Sequence, residues 1–302
     1  RKISKTMDSV IALGTFDGVH LGHRQLIDAA LALAKENGLR PLIYTFFNHP
    51  GEAFGQKARL LMAGPSRIAA LSALCETVAD PFDAAFAAVE PVDFIRMLIE
   101  RFSMKAVVAG FNYTFGKGGA GDIALLRELG AQMGFSVCEI PPRTYGGAPI
   151  SSSRIRTAVE EGDMEAAAAM LGRPFTLTGQ VSAGKAIGHS LGFPTANLLA
   201  AEDQVLPAAG VYASWAILED GCSRPAVTNV GSNPTVGGRE ITVETHILDV
   251  RENLYGRALA VAFARRLRED RRFSSREALA AQIGRDVSEA RAVLAGGDWE
   301  MP

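Results

Sequence analysis

The stretch GTFDGVHLGH, residues 14–23, decides how the first half of the chain reads. Before it, Ser9-Val10-Ile11-Ala12-Leu13 is an apolar run of strand length. After it, Leu26-Ile27, Ala30-Leu31 and Ala34 recur at helical spacing as far as Asn37-Gly38, a helix C-cap sequence. The ten residues therefore form a strand-to-helix turn. Two of the chain's five histidines, His20 and His23, stand in it three apart, so a first helical turn carries both rings on one side. A helix start offers unpaired backbone N–H groups and the positive end of a dipole, and Gly14 and Gly18 let a ligand approach the backbone closely. That combination suits attack on a nucleoside triphosphate, with imidazoles facing the phosphate oxygens. Two histidines three apart also occur on ordinary surfaces, and zinc would need a third ligand that does not follow at helical spacing.

Outward from this turn, the first 160 residues alternate. Strand-length runs at Val10–Leu13, Pro41–Phe47, Ala106–Ala109 and Phe135–Ile140 are separated by helical periods over 23–37, 67–78, 92–101 and 123–133. Ser66 and Asp122 stand as N-caps of the second and fourth helices. The alternation predicts a parallel sheet with right-handed crossovers and ligand sites at the carboxyl ends of its strands. Gly110-Phe111-Asn112 occupies such an end, as GTFDGVHLGH does. It opens the glycine-rich loop GFNYTFGKGGAGD (110–122), and ISSSRIR (150–156) places three hydroxyls and two arginines at another helix start. Their plainer readings are a flexible turn and an N-cap; as a set, the three loops suit anions.

After Arg173-Pro174 the texture changes. Segments of β character at Thr176–Val181, Val211–Leu218, Ala226–Val230, Ile241–Leu248 and Leu259–Phe263 are punctuated by Gly, Pro and Asn, which predicts an antiparallel barrel or sandwich. A last helix starts at Ser274, with Glu277 as its capping-box partner, and runs to about Leu294. In SAGKAIGHSLGFPTANLL (182–199), Thr195 and Asn197 are alternate residues of an extended segment, so their oxygens face one side, ready for Mg²⁺ or a phosphate. In ITVETHILD (241–249), Ile241, Val243, Thr245 and Ile247 face one way and Thr242, Glu244 and His246 the other. Glu244 on that polar face is either a general base or simply solvated.

The composition narrows the function classes. With 302 residues, 48% hydrophobic and 21% charged, the chain can bury two cores of ordinary size. A net charge of −2 gives no basic field for nucleic acid or an anionic membrane. The one arginine-dense patch, Arg265, Arg266, Arg268, Arg271 and Arg272, is interrupted by Glu269 and Asp270 and reads as a solvated, salt-bridged face rather than a nucleic-acid surface. Cys75, Cys138 and Cys222 share no metal-binding spacing, and their odd number points to a reducing compartment, the cytoplasm. No apolar run is long enough to span a bilayer. The sequence opens on Arg1 rather than methionine, so a natural N-terminus upstream is expected.

GTFDGVHLGH resembles the G-x-F-D-G-x-H-x-G-H motif of the histidine-motif nucleotidyltransferases. With TFFNHP (45–50), VVAGFNYTFGKGGAGDIALLRELG (107–130) and ISSSRIR, it is similar to the FMN adenylyltransferase domain of bacterial bifunctional riboflavin kinase/FAD synthetases. G-x-x-L-G-F-P-T-A-N, NVGSNPTVGG (229–238), ETHILD and LYG (254–256) resemble the riboflavin kinase signature of the same family, in family order. The resemblance implies a Rossmann-like nucleotidyltransferase domain over 1–161, a linker over 162–173, and a kinase barrel with a terminal helix over 174–302. It implies that His20 and His23 handle ATP phosphates, that Gly14, Phe16 and Gly18 shape the nucleotide turn, and that Asn112 belongs to the flavin and ATP pocket. Ser152, Ser153 and Arg156 match the phosphate-binding element, Ser153 standing where threonine is common. Phe47-Asn48 replaces an acidic residue and proline. In the kinase half it implies Thr195 and Asn197 for Mg·ATP, Glu244 as the base for the riboflavin 5′-hydroxyl, and Gly184, Lys185 and Gly188 as the loop over the nucleotide. His189 there replaces an arginine. Gly192, Pro194 and Arg268 fall to the flavin. The implied substrates and products are riboflavin, FMN, FAD and ATP with Mg²⁺. A different nucleotidyltransferase with a flavin-sensing barrel, or a flavin-binding regulator, remains the alternative.

Overall fold

The structure, a computed structural model, describes residues 7–57, 59–182, 193–235, 238–250 and 253–296. The chain divides into two compact units, residues 1–58 with 64–151 and residues 59–63 with 152–302.

In the first unit, β1 (Ser9–Leu13), β2 (Arg40–Phe46), β3 (Thr77–Asp80), β4 (Met104–Gly110) and β5 (Ser136–Ile140) form a wholly parallel sheet in the order β3-β2-β1-β4-β5. All five residues of β1 are buried, as a central strand covered on both faces requires. The connecting helices are α1 (Leu21–Asn37), α2 (Gly64–Ser72), α3 (Ala84–Ala87), α4 (Pro91–Phe102) and α5 (Ile123–Met133). On α4, Phe94, Ile95, Leu98 and Phe102 form one buried stripe in a core with Leu42, Tyr44, Val107 and Leu126. α1 ends as its sequence predicts, with Gly38 at φ 63° and its N–H returned to the Ala34 carbonyl. Asp122 caps α5 by accepting from the Leu125 N–H at 2.9 Å. A small hairpin, β6 (Thr144–Tyr145) with β7 (Ala148–Pro149), lies near the end of this unit. The strand order reverses between β1 and β4, which puts the binding crevice of such a sheet outside their carboxyl ends.

The predicted helix over 67–78 divides. α2 starts at Gly64, leaving Ser66 inside the first turn rather than at the cap, and stops at Ser72. Thr77–Asp80 then pairs with β2 as an edge strand. Four residues are too few to show a period of two, so the alanine-rich run ahead of them dominates the pattern.

In the second unit, α6 (Ser152–Glu161) and α7 (Met164–Leu171) precede six strands. β8 (Phe175–Ser182), β9 (Ala196–Ala200), β10 (Gly210–Ile217), β11 (Ser223–Thr235), β12 (Gly238–Ile247) and β13 (Ala258–Glu269) close an antiparallel barrel in the order β10-β11-β12-β9-β8-β13. Of the two predicted β architectures, the barrel is the one formed. The segment 162–173 contains α7, which packs on β13 and β8 and whose Glu165 meets Arg265 at 2.6 Å. The terminal helix (Arg276–Ala295) is capped by Ser275, one residue beyond the predicted Ser274; Ser275 Oγ accepts from the Ala278 N–H, so Glu277 is not the capping-box partner. Adjacent serines leave that choice to packing, and Ala290 and Leu294 dock on Val211, Ala213 and Val227.

Residues 59–63 join this unit as a strap. Leu60 bridges to Gln204, its N–H donating to the Asp203 carbonyl at 2.6 Å and its carbonyl accepting from Val205 at 2.8 Å. The Gln204 Nε2 donates to the carbonyls of Leu61 (3.2 Å) and Thr176 (3.0 Å).

Candidate active sites

At the carboxyl end of β1 the chain passes through GTFDGVHLGH in a strained turn. Phe16 (φ 53°), Gly18 (φ 81°) and Val19 (φ 44°) are all left-handed, an unfavourable state for a β-branched valine. At Gly14 a Cβ would lie 3.1 Å from the Phe16 ring, so any larger residue would have to push that ring aside. Phe16 is fully buried and packs edge-on against His23, ring centroids 5.2 Å apart. Its place is beneath the turn.

His20 is the N-cap of α1 rather than a residue of its first turn: Nδ1 accepts from the His23 N–H at 3.2 Å. With Nδ1 used as an acceptor, the neutral ring carries its proton on Nε2. The His23 ring stacks on it at 3.5 Å, 15° from parallel, so the two imidazoles do share one side. The His23 Nδ1 is buried and has no hydrogen-bond partner among the described residues. Burial first, then the neighbouring His20 and Arg67, hold the His23 imidazole well below the ordinary histidine range. It is therefore a neutral N–H donor at pH 7, not a fixed cation.

Asn112 is exposed just beyond β4, the strand that neighbours β1. Asn48, at the departure from the family pattern, exchanges two hydrogen bonds with the Phe82 backbone, at 2.9 and 2.8 Å. Phe47 and Phe111, directly after β2 and β4, are exposed aromatics, as is Phe54 at 66%. None of the three was nominated as a site residue from sequence, since an aromatic residue reads as core until its burial is known. Ser152, Ser153 and Arg156 stand on α6 in the second unit, with Arg156 Nη1 donating to Ser153 Oγ at 3.4 Å.

The second unit holds a cavity of about 660 Å³ between one barrel face, the terminal helix and the segment joining β13 to that helix. Strand register builds its polar wall. Glu244 of β12 lies directly opposite Asn197 of β9 on one side and Asn229 of β11 on the other, so the three side chains form one row on one face. The opposite face of the neighbouring row is a buried hydroxyl chain: Ser214 Oγ is 2.7 Å from Thr228 Oγ1, which is 3.0 Å from Thr245 Oγ1. Glu244, Asn229 and Thr195 line the cavity. His246 lines it too, and its Nδ1 donates to the Pro194 carbonyl at 2.8 Å, tying the Pro-Thr segment to β12. Val211, Val227, Leu279 and Ile283 supply apolar walls.

The arginine patch divides. Arg265, paired with Glu165 away from the cavity, and the exposed Arg271 and Arg272 fit the reading of a solvated, salt-bridged face; Arg268 is half-buried, and with Arg271, Arg272 and Phe273 it lines the cavity. Arg268 makes a bidentate pair with the buried Asp286, at 3.0 and 2.9 Å, and lies over the Phe273 ring. Asn229, His246, Phe273 and Asp286 were not nominated as site residues from sequence, although NVGSNPTVGG carries the first and ETHILD the second. Gly184, Lys185, Gly188, His189 and Gly192 lie outside the described residues. No cluster of three or more His, Cys, Asp or Glu able to hold a metal ion occurs among the described residues.

Comparison with known proteins matches both halves. The FAD synthetase family model covers residues 2–154 and the riboflavin kinase model covers residues 171–294. Bifunctional riboflavin kinase/FMN adenylyltransferases of Escherichia coli K12 and Bacillus subtilis 168 are each 34% identical to this chain, covering 93% of it and 91% of their own length. The Pseudomonas fluorescens relative of the same name is also 34% identical, covering 95% of this chain and 93% of its own. A crystal structure of a Streptococcus pneumoniae protein named macrolide-efflux protein superimposes with a TM-score of 0.88 at 30% identity, over 96% of each chain. Among the described residues of this chain, no helix is long and apolar enough to cross a membrane. Matched in both halves and along nearly its whole length, the chain belongs to the bifunctional riboflavin kinase/FMN adenylyltransferase family, phosphorylating riboflavin to FMN and adenylylating FMN to FAD with ATP.

Proposed function

We propose that residues 1–161 carry the adenylyl transfer and residues 174–302 the riboflavin phosphorylation, joined through 162–173. The observation that carries the kinase half is the Asn197–Glu244–Asn229 row, whose Glu244 and Asn229 line a cavity with one polar and several apolar walls. Glu244 takes the proton of the riboflavin 5′-hydroxyl as that oxygen bonds to the γ-phosphorus of ATP and ADP leaves. Val211, Val227, Leu279 and Phe273 face the flavin ring, with Arg268 held against its edge by Asp286. Thr195 and Asn197 hold the Mg²⁺ that arrives with ATP; hydroxyl and amide oxygens suit a hard cation. The ion, once bound, screens the charge of the phosphates.

In the first half, an FMN phosphate oxygen bonds to the α-phosphorus of ATP, and the bond to pyrophosphate breaks. His20, through Nε2–H, and His23 donate to the phosphate oxygens as charge builds on them, above the N-terminus of α1. Asn112 and the exposed Phe47, Phe54 and Phe111 are the groups offered to FMN from the loops beyond β2 and β4. Ser152, Ser153 and Arg156 act on phosphate by family resemblance. The three free cysteines, Cys222 exposed, suit a reducing cytoplasm.

Incubation with riboflavin, ATP and Mg²⁺, followed by chromatographic separation of flavins, is expected to yield FMN and then FAD. FMN alone would remove the adenylylation assignment; bound riboflavin without product would favour a flavin-sensing regulator. Excess chelator is expected to stop both steps while far-ultraviolet circular dichroism stays unchanged, because the ion rides on substrate phosphates. Loss of the folded signal would reveal a structural metal instead.

Truncation tests the division of labour. A chain starting at Ser152 loses the strap at residues 59–63 but keeps α7 and its Glu165–Arg265 pair, and it is expected to phosphorylate riboflavin at some cost in stability. A chain starting at Pro174 exposes the apolar face of β8 and β13 that α7 covers. It should make FMN too, but melt several degrees lower in a thermal scan. If neither folded fragment makes FMN, the kinase is not confined to this part of the chain.

A further inference from the structure

Arg67 on α2 is fully buried, and the terminal nitrogens of its guanidinium are met by backbone carbonyls, which offsets part of the cost of burying the charge. Its Nη1 donates to the Thr15 carbonyl at 2.8 Å, and its Nη2 to the carbonyls of Phe46 (2.7 Å) and Phe47 (3.1 Å). Thr45 Oγ1 meets the same Thr15 carbonyl at 3.3 Å. Thr15 opens the left-handed turn after β1, Phe46 ends β2 and Phe47 directly follows it, so one planar fork ties together the carboxyl ends of two adjacent parallel strands. A turn with Phe16 and Val19 at positive φ persists only where surrounding contacts over-determine it.

We propose that Arg67 is the positioning residue of the adenylyl-transfer site, clamping the turn so that His20 and His23 face the ATP phosphates. The inference rests on the assignment of those histidines above. Arg67 contributes charge as well as geometry: the titratable and charged groups acting on the His23 ring are His20 from the turn and Arg67 from α2, and both disfavour its protonation. Burial is the larger cause of the neutral ring, and the clamp adds to it while holding the ring in place.

The test compares Arg67→Met, Arg67→Gln and Arg67→Lys in the full chain, measuring FMN adenylylation from pH 5 to 9, with riboflavin phosphorylation recorded on the same samples. His23→Ala is the reference. Removing the positive charge favours the protonated ring, so in Met or Gln the acid limb of kcat should move to higher pH. The rate at pH 8 should fall on the order of 10²-fold, from loss of the fork. Lysine keeps the charge and loses the fork, so the rate should fall while the limb stays with the parent. Should Met fail to fold, Gln decides. A limb unmoved in the neutral variant, or a rate within threefold of the parent, overturns the proposal. An acid limb that survives His23→Ala overturns the histidine assignment instead, and is distinguishable because it needs no Arg67 variant.

Discussion

Glu244→Gln is expected to lower riboflavin phosphorylation by roughly 10² to 10⁴-fold while FMN supplied directly is still converted to FAD. Glutamine keeps the size of the side chain and an oxygen between Asn197 and Asn229, so the row and the barrel register persist. What it loses is the ability to accept the proton of the riboflavin 5′-hydroxyl. The loss should therefore appear in kcat, with the KM values for riboflavin and ATP changed little. A variant that phosphorylates riboflavin at the parental rate would strike Glu244 from the mechanism. One that loses FAD synthesis from FMN as well, while remaining folded, would show that the two steps do not have separate sites.

His23→Ala is the converse experiment, with an expected loss of 10²-fold or more in adenylylation and near-normal riboflavin phosphorylation. Alanine removes a neutral N–H donor and the ring that stacks on His20, leaving the N-cap bond between His20 Nδ1 and the backbone of residue 23 available. The helix start should accordingly survive, and the loss can be read as chemistry rather than unfolding. Mixing the Glu244→Gln and His23→Ala proteins should restore FAD production from riboflavin, because FMN made by one can diffuse to the other. Failure of the mixture, with each variant active in its own remaining step, would mean that FMN must be passed within one molecule.

The fold was legible wherever its signal is local. The strand-turn-helix around residues 9–38 is written in adjacent residues, and the β1 and α1 boundaries fall within two residues of the pattern. Asp122 at the start of α5 and the alternation in Ile241–Ile247 are of the same kind. What escaped depends on partners distant in sequence. β3 is a four-residue edge strand that exists because β2 offers it a parallel neighbour. Arg67, one cation in a helix of nine residues, has the sequence signature of a surface side chain; its burial follows from carbonyls up to 52 positions away. The same holds in the barrel. Glu244 stood out as a carboxylate on a polar face, but its flanking by Asn197 and Asn229 is a matter of strand register, and Arg268 becomes a cavity wall through Asp286 on the terminal helix.

Recombination between genes of this family would be constrained by the strap at residues 59–63. The barrel-bearing unit is discontinuous in the gene: five codons of it lie about 90 codons upstream of the remainder. A single crossover near codon 152 would inherit Leu60 and Leu61 from one parent and Gln204 from the other, although these residues form one hydrogen-bonded cluster. Viable exchanges should therefore carry two crossovers bracketing the strap, or occur between parents that agree at these three positions. Natural chimeras are expected to preserve the strap with its distant partner more faithfully than they preserve either with its immediate neighbours along the chromosome.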